Sequence, residues 1–403
     1  MLNPYNNPNI EEFEIKENLM SVIKKRFSTY GYQQIRTPAF ESYDMYSNIT
    51  GTVSKGEMIK VIDPSGDVLV LRPDVTIPLT KMISKSLLRE QRLFYIQDVY
   101  RQNSQREITE STQAGVECFG ENSPFIDAEV IILAIHTLRD LGLKNFKIEV
   151  GHAGFFKEII EQIQVTGQQL EQIKALIQSK NVIEMEPYLS SLTISTEAKE
   201  AIRQIPVMYG DPETVIQQAK ELTLNENMEN ILQRLMEINE LIKDYNASDY
   251  ILFNLGLINH MNYYSGVIFQ GFVGNVGMPV LMGGRYDHLG EQFSNSVPAI
   301  GFAFDVDLLL QARKQQGLNI SVDSAADICI FYDQNRQKEA LSMSYELRNY
   351  GYKVITNITG LPAKKHVYFS GDRSPYLGGN EKQPFTTMEE LLQLLKQNEG
   401  EQN

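Results

Sequence analysis

Apolar residues recur near helical spacing over residues 10–30, at Phe13, Leu19, Val22, Ile23 and Phe27, and Gly31 follows as a C-terminal stop. The pattern then shifts to short runs of alternating character. QQIRTPAFE predicts a strand, and KVIDPSGDVLVLRPD predicts a hairpin, because Pro64-Ser65-Gly66 supplies a turn between two β-branched runs. Further strands are expected at RLFYIQDVYRQ, AGVECFGE, FKIEVG, GVIFQGF and AIGFAFD. A helix, IDAEVIILAIHTLRDLG, lies between AGVECFGE and FKIEVG, with Asp127 placed to interact with its first turn.

Between about 155 and 248 the periodicity becomes that of amphipathic helices, with few β-branched alternations, so a helical insertion in a sheet domain is expected. From Asp327 the pattern resets. ADICIFYD, NRQKEALSMSYELRNYG and YKVITNI form a strand–helix–strand unit in which Gly351 ends the helix. Strands in runs, rather than in strict alternation with helices, predict an α+β fold on a mostly antiparallel sheet flanked by helices. The expected division is a core over 1–320, carrying the insertion, and a small C-terminal α/β domain over 321–403.

Composition narrows the functional class. With 403 residues, 42% of them hydrophobic and 22% charged, the chain is long enough for more than one buried core, and no run of about 18 apolar residues could span a bilayer. The first residues lack the basic-then-apolar order of a secretory signal, so a cytoplasmic protein is expected. Cys118 and Cys329 stand far apart in apolar runs, which fits a reducing compartment. The histidines (His136, His152, His260, His288, His366) have no HExxH or CxxC partner, so neither a metal nor a cofactor is expected. A net charge of -14 argues against nonspecific binding to polyphosphate, which leaves a small molecule or another protein as the expected partner and nucleic acid as an unexpected one.

Four segments concentrate polar and aromatic groups: LRPDVT (71–76), YIQDVYRQ…STQAGVE (95–117), INHMNYYSG (258–266) and GGRYD…PAIGFAFDVDLLL (283–310). At a period of two, Tyr95, Val99 and Arg101 share one strand face, as do Gln113, Gly115 and Glu117. Arg101 and Glu117 could equally pair across neighbouring strands, and Asp74 and Thr76 could be turn residues after Pro73.

Taken together and in order, these segments resemble the catalytic core of histidyl-tRNA synthetase, a class II synthetase, over about residues 1–310. YGYQQIRTPAFES is similar to that family's first motif, with Pro38 at the dimer-forming position. The resemblance implies a site for histidine. Asp74 and Thr76 stand where the family holds the α-amino group, with aspartate in place of glutamate, and Gln113 where an amide holds the amino-acid backbone. Tyr95, Glu117, Tyr263 and Tyr264 match positions around the imidazole, and Arg101 matches the arginine for the carboxylate or adenylate phosphate. The chemistry is coherent, because histidine presents an ammonium, a carboxylate and a ring with donor and acceptor nitrogens.

The nucleotide half departs from the family. Asn103 replaces an acidic residue, and the following loop is short and offers only Arg106 against Glu107 and Glu110. The third motif ends with Asp305 and Leu308 where the family has glycine and a phosphate-binding arginine. Asn259 stands at the catalytic arginine, and His260, its neighbour, is read as a packing or surface residue. These departures are similar to the branch of the family that serves as non-catalytic regulatory subunits of ATP phosphoribosyltransferase in histidine biosynthesis. That resemblance implies a short-form ATP phosphoribosyltransferase catalytic subunit as partner, free histidine as effector, and self-association through the synthetase-like dimer face. The competing expectations are a working histidyl-tRNA synthetase or related ligase, and a synthetase-like module that binds RNA.

Overall fold

Leu19, Ile23 and Phe27, spaced four apart, bury one stripe of the first helix, α1 (Ile10–Thr29). Phe13 departs from the predicted stripe and stays 60% exposed. Gly31, at φ 78°, closes the helix in the left-handed region, and Tyr32 N–H returns to the Phe27 carbonyl. The computed structural model describes residues 10–47, 49, 53–86, 90–103, 105–258, 263–318, 326–356, 363–371, 373–379 and 381–397.

QQIRTPAFE is not one strand. Its ends form β1 (Gln33–Gln34) and β2 (Phe40–Ser42), which belong to different sheets, with Pro38 in the break where a ladder donor would be missing. After α2 (Tyr43–Ser47), the hairpin forms as predicted from β3 (Lys60–Ile62) and β4 (Val68–Leu71), with Gly66 at φ 93° in its turn. Next come α3 (Thr76–Ser84), β5 (Gln91–Gln102), β6 (Ile108–Phe119), α4 (Pro124–Asp140) and β7 (Phe146–His152). The insertion holds α5 (Ala153–Glu161), α6 (Gly167–Gln178), α7 (Val182–Ser191), α8 (Thr196–Gln204), α9 (Pro212–Lys220) and α10 (Glu226–Asp244). It is not purely helical, because β8 (Tyr209–Gly210) pairs with β9 (Ile251–Asn254) at the sheet edge. The remaining core elements are β10 (Val267–Val273), β11 (Leu281–Arg285), β12 (Ala299–Asp305) and α11 (Val306–Gln315).

Among the described residues the large sheet has nine strands in the order β1-β5-β6-β12-β11-β10-β7-β9-β8. Only β1–β5 and β7–β9 pair in parallel, so the fold is α+β on a mostly antiparallel sheet. Alternation divides its two faces. Phe94, Ala114, Val116 and Cys118 join the helix-covered core, whereas Leu93, Tyr95 and Phe119 join a second apolar cluster with Val75, Ile77 and Tyr286. The candidate site lies on this second face.

Asp127 does more than face a helix dipole. Buried in the first turn of α4, its Oδ1 accepts from Arg285 Nη2 at 2.6 Å and its Oδ2 from Arg234 Nε at 2.8 Å. Arg285 ends β11 and Arg234 lies on α10, so one carboxylate ties the insertion to the sheet.

Residues 320–403 form a separate compact unit, and residues 1–319 the other. In the smaller one, β13 (Ala326–Tyr332), α12 (Gln337–Asn349) and β14 (Val354–Thr356) make the expected strand–helix–strand unit with parallel strands. It continues through β15 (Ala363–Phe369), β16 (Tyr376–Gly378), β17 (Gln383–Pro384) and α13 (Met388–Gln397). Among the described residues no helix is long and apolar enough to cross a membrane.

Candidate functional site

A cavity of about 250 Å³ opens on the second face of the sheet. Asp74, Thr76, Tyr95, Arg101, Gln113, Glu117, Tyr263 and Tyr264 all line it. They arrive from separate places: Asp74 and Thr76 from the start of α3, Tyr95 and Arg101 from β5, Gln113 and Glu117 from β6, and the tyrosine pair from the segment before β10.

Glu117 is the most enclosed acid of the set, at 2% exposure. One carboxylate oxygen accepts from Thr76 Oγ1 at 2.6 Å and the other from the Tyr286 hydroxyl. Burial pushes its pKa up to about 8, the Thr76 and Tyr286 hydrogen bonds pull it down, and the nearby Asp74 raises it further. Gly301 makes the space for it, because a Cβ there would stand 2.0 Å from Glu117 Oε2 and 2.3 Å from the Val116 carbonyl. Gly115 does the same for the Tyr95 ring, whose Cζ would be 2.5 Å from an added Cβ. Gly301→Ala is therefore expected to displace the Glu117 carboxylate and lower ligand affinity by roughly tenfold or more, the equivalent of one misplaced hydrogen bond to a charged group. Calorimetry with a far-ultraviolet dichroism control would check this, and unaltered affinity would refute the close packing.

Arg101 and Glu117 are not cross-strand partners. In the β5–β6 register Arg101 stands opposite Thr109 and Glu117 opposite Leu93. Arg101 instead donates from Nε to the Pro73 carbonyl at 2.8 Å, which holds its guanidinium beside Asp74. Asp74 is both a turn residue and a lining residue: its Oδ1 accepts from Ile77 N–H at 2.8 Å, capping the first turn of α3. Burial raises its pKa, against the Ile77 hydrogen bond and the Arg101 charge.

Tyr263 and Tyr264 do not lie on a strand, since β10 begins only at Val267. Freed from alternation, the two neighbours both reach the cavity, with ring centroids 4.6 Å apart. Burial is the main cause of the raised pKa of both phenols, so each remains a neutral donor. Asn259 and His260 lie outside the described residues. The sequence reading missed Tyr286, which follows β11 and packs edge-on against Tyr263 at 5.8 Å while donating to Glu117. Its signal was available, since it sits inside the quoted GGRYD.

Gln113, Asp305 and Leu308 line the same cavity, Gln113 four residues along β6 from Glu117. Asp305 is opposite Gln113 in the β6–β12 ladder and caps α11 by accepting from Leu308 N–H at 3.0 Å. Asn103, at the β5–β6 connection, is a turn former: its Oδ1 accepts from Gln105 N–H at 3.0 Å and Glu107 N–H at 2.9 Å. Among the described residues no group of three His, Cys, Asp or Glu side chains is placed to hold a metal ion.

The histidyl-tRNA synthetase family model matches residues 8–309. An ATP phosphoribosyltransferase regulatory subunit from Oceanobacillus iheyensis is 48% identical over 88% of this chain and 87% of its own. The chain belongs to the ATP phosphoribosyltransferase regulatory-subunit family. A second family member, from Acetivibrio thermocellus, is 35% identical over 86% of this chain and 83% of its own. Among solved structures, an ATP phosphoribosyltransferase regulatory subunit/histidyl-tRNA synthetase from Bacillus halodurans C is 28% identical with a TM-score of 0.79, covering 90% of this chain and 95% of that one. Histidyl-tRNA synthetase from Nostoc sp. PCC 7120 shares the fold at a TM-score of 0.79 and 18% identity, covering 96% of each chain. The family thus keeps the class II synthetase fold.

Proposed function

We propose that this chain is a non-catalytic regulatory subunit of ATP phosphoribosyltransferase that senses free histidine and passes its occupancy to a short-form catalytic subunit. The observation that carries this reading is the set of side chains that lines the cavity. Asp74, Arg101, Glu117 and a tyrosine cluster line it together with Asp305 and Leu308. Asp74 takes the α-amino group, Arg101 the carboxylate, Gln113 the amino-acid backbone, and Glu117 with the tyrosines the imidazole.

A carboxylate and an aliphatic side chain give no positive charge to a nucleotide phosphate. Each charge-assisted contact absent from an activating site costs about 3 kcal/mol or more in the transition state. Regulation then works by linkage: histidine favours the conformation of the complex that it binds more tightly, and the partner follows. Self-association is supported by Phe40 and Ile62, 51% and 73% exposed, on the small sheet that follows Pro38.

Co-expression with a short-form catalytic subunit is expected to yield a complex whose phosphoribosyltransferase activity exceeds that of the catalytic subunit alone and falls with added histidine. A complex that forms but ignores histidine would overturn the sensor role. The family model favours a second reading, a working histidyl-tRNA synthetase. Histidine-dependent pyrophosphate exchange by the pure chain would establish it in place of the first.

A further inference from the structure

Tyr263 and Tyr264 have a second side. Together with His152, Lys157, Asn230 and Gln292 they bound another cavity, of about 480 Å³, between the sheet and the first and last helices of the insertion. His152 ends β7 and caps α5, its Nδ1 accepting from Gly154 N–H at 3.1 Å. An accepting Nδ1 leaves the ring proton on Nε2. Burial, chiefly, and the positive charge of Arg234 push the ring pKa down to about 3, so the imidazole is a neutral donor in one tautomer. The side chain is only 8% exposed, and its Nε2–H meets no acceptor among the described residues. Nε2 is not among the fully enclosed unpaired polar atoms, so this donor opens on the cavity and can meet an acceptor there.

The surroundings indicate what that acceptor is. Lys157 has only a 3.6 Å pairing with Glu161 in which both side chains are largely exposed, so its ammonium is available at little cost. Glu158, the acid in the wall, already accepts on Oε2 from the amides of Asn225 at 3.1 Å and Asn227 at 3.2 Å. Glu158 keeps its negative charge, so one neutral N–H donor and the Lys157 ammonium suit at most a single negative charge and not a phosphate dianion, which calls for more positive charge.

We propose that this cavity binds a small carboxylate-bearing metabolite, with one carboxylate oxygen on His152 Nε2–H and the Lys157 ammonium as counter-charge. The site shares the tyrosine wall with the first cavity. If that cavity holds histidine, as proposed above, the two ligands influence each other through the shared tyrosine pair, but the second site does not depend on the first.

Two isosteric changes separate the two jobs of His152. In His152→Asn the amide oxygen replaces Nδ1 and keeps the α5 cap, while the Nε2 donor is lost. In His152→Gln the amide nitrogen reaches the Nε2 position, while the cap is lost. Titration calorimetry with succinate and acetate is expected to show saturable binding to the full chain, weakened roughly tenfold or more in His152→Asn and retained in His152→Gln. Thermal stability should run the opposite way, lower in His152→Gln than in His152→Asn. Absent binding of either carboxylate, equal affinity in His152→Asn, or binding of inorganic phosphate in preference to both would overturn the proposal. Glu117→Gln, which weakens histidine binding in the first cavity, should leave succinate binding intact, so failure of the histidine reading and failure of this one are distinguishable.

Discussion

Histidine affinity is expected to be flat between about pH 6.5 and pH 8 and to fall on both sides. In the empty cavity the Glu117 carboxyl titrates at about 8 because it is buried, and Asp74 stands nearby. The free histidine ring titrates at about 6.5. With Glu117 as the ring's partner, as proposed, the bound ring and carboxylate would share one proton. Between the two pKa values the separated partners already carry that proton, on Glu117, so binding neither takes up nor releases any. Below about pH 6.5 binding must release a proton, and above about 8 it must take one up, with a loss of up to about tenfold per pH unit in either direction. Calorimetry in buffers of different ionisation enthalpy would report these protons directly. Affinity that climbs steadily through pH 8 would exclude Glu117 as the ring's partner.

The same residue links pH to the stability of the empty protein. A carboxyl whose folded pKa is raised stabilises the fold fully below its unfolded pKa of about 4.5, and that contribution is lost as pH rises through about 8. Glu117→Gln removes this dependence, so the variant should resist denaturant better than the parent at pH 8 while binding histidine roughly 10- to 100-fold more weakly, the value of a charged hydrogen bond. Improved stability without weaker binding would mean that Glu117 is a buried structural acid and no more.

Replacing Asp127 should produce the largest loss of stability. Asp127→Ala leaves Arg285 buried with Asp287, at 3.0 Å, as its remaining ion partner, and frees Arg234 from the sheet. Breaking a buried pair from one side costs about 3–5 kcal/mol, whereas the intact pair itself contributes little net stability. Denaturation followed by far-ultraviolet dichroism should show the loss in the core unit, and a change below about 1 kcal/mol would contradict the triad. Function should suffer too, because Arg285 adjoins Tyr286, the hydroxyl donor to Glu117, and its carbonyl accepts from Ser265 N–H at 2.8 Å beside the tyrosine pair. The substitution is therefore expected to weaken the proposed histidine binding from outside the cavity.

Much of the architecture was legible in the order of residues, for identifiable reasons. Alternation and helical spacing are local, so α1, the 60–74 hairpin, the long strands around Tyr95 and Glu117, and the C-terminal strand–helix–strand unit could all be anticipated. Where local pattern misled, a long-range partner decided. QQIRTPAFE alternates like one strand, yet its halves pair with Phe94 in one sheet and with Leu71 in another. Phe13 fits the helical stripe but finds no core above it.

The candidate site divides the same way. The sequence by itself determined which chemical groups were available, an aspartate, an arginine, a glutamate and a set of tyrosines in a family order. Only the tertiary structure decided that Glu117 faces Thr76 and Tyr286 rather than Arg101, because hydrogen-bond partners are set by register and by crossing elements, not by separation along the chain. It alone decided that Asp127 joins β11 to α10 and that His152 carries an unpaired donor into a second cavity. Burial made both consequential, and burial belongs to the folded chain as a whole.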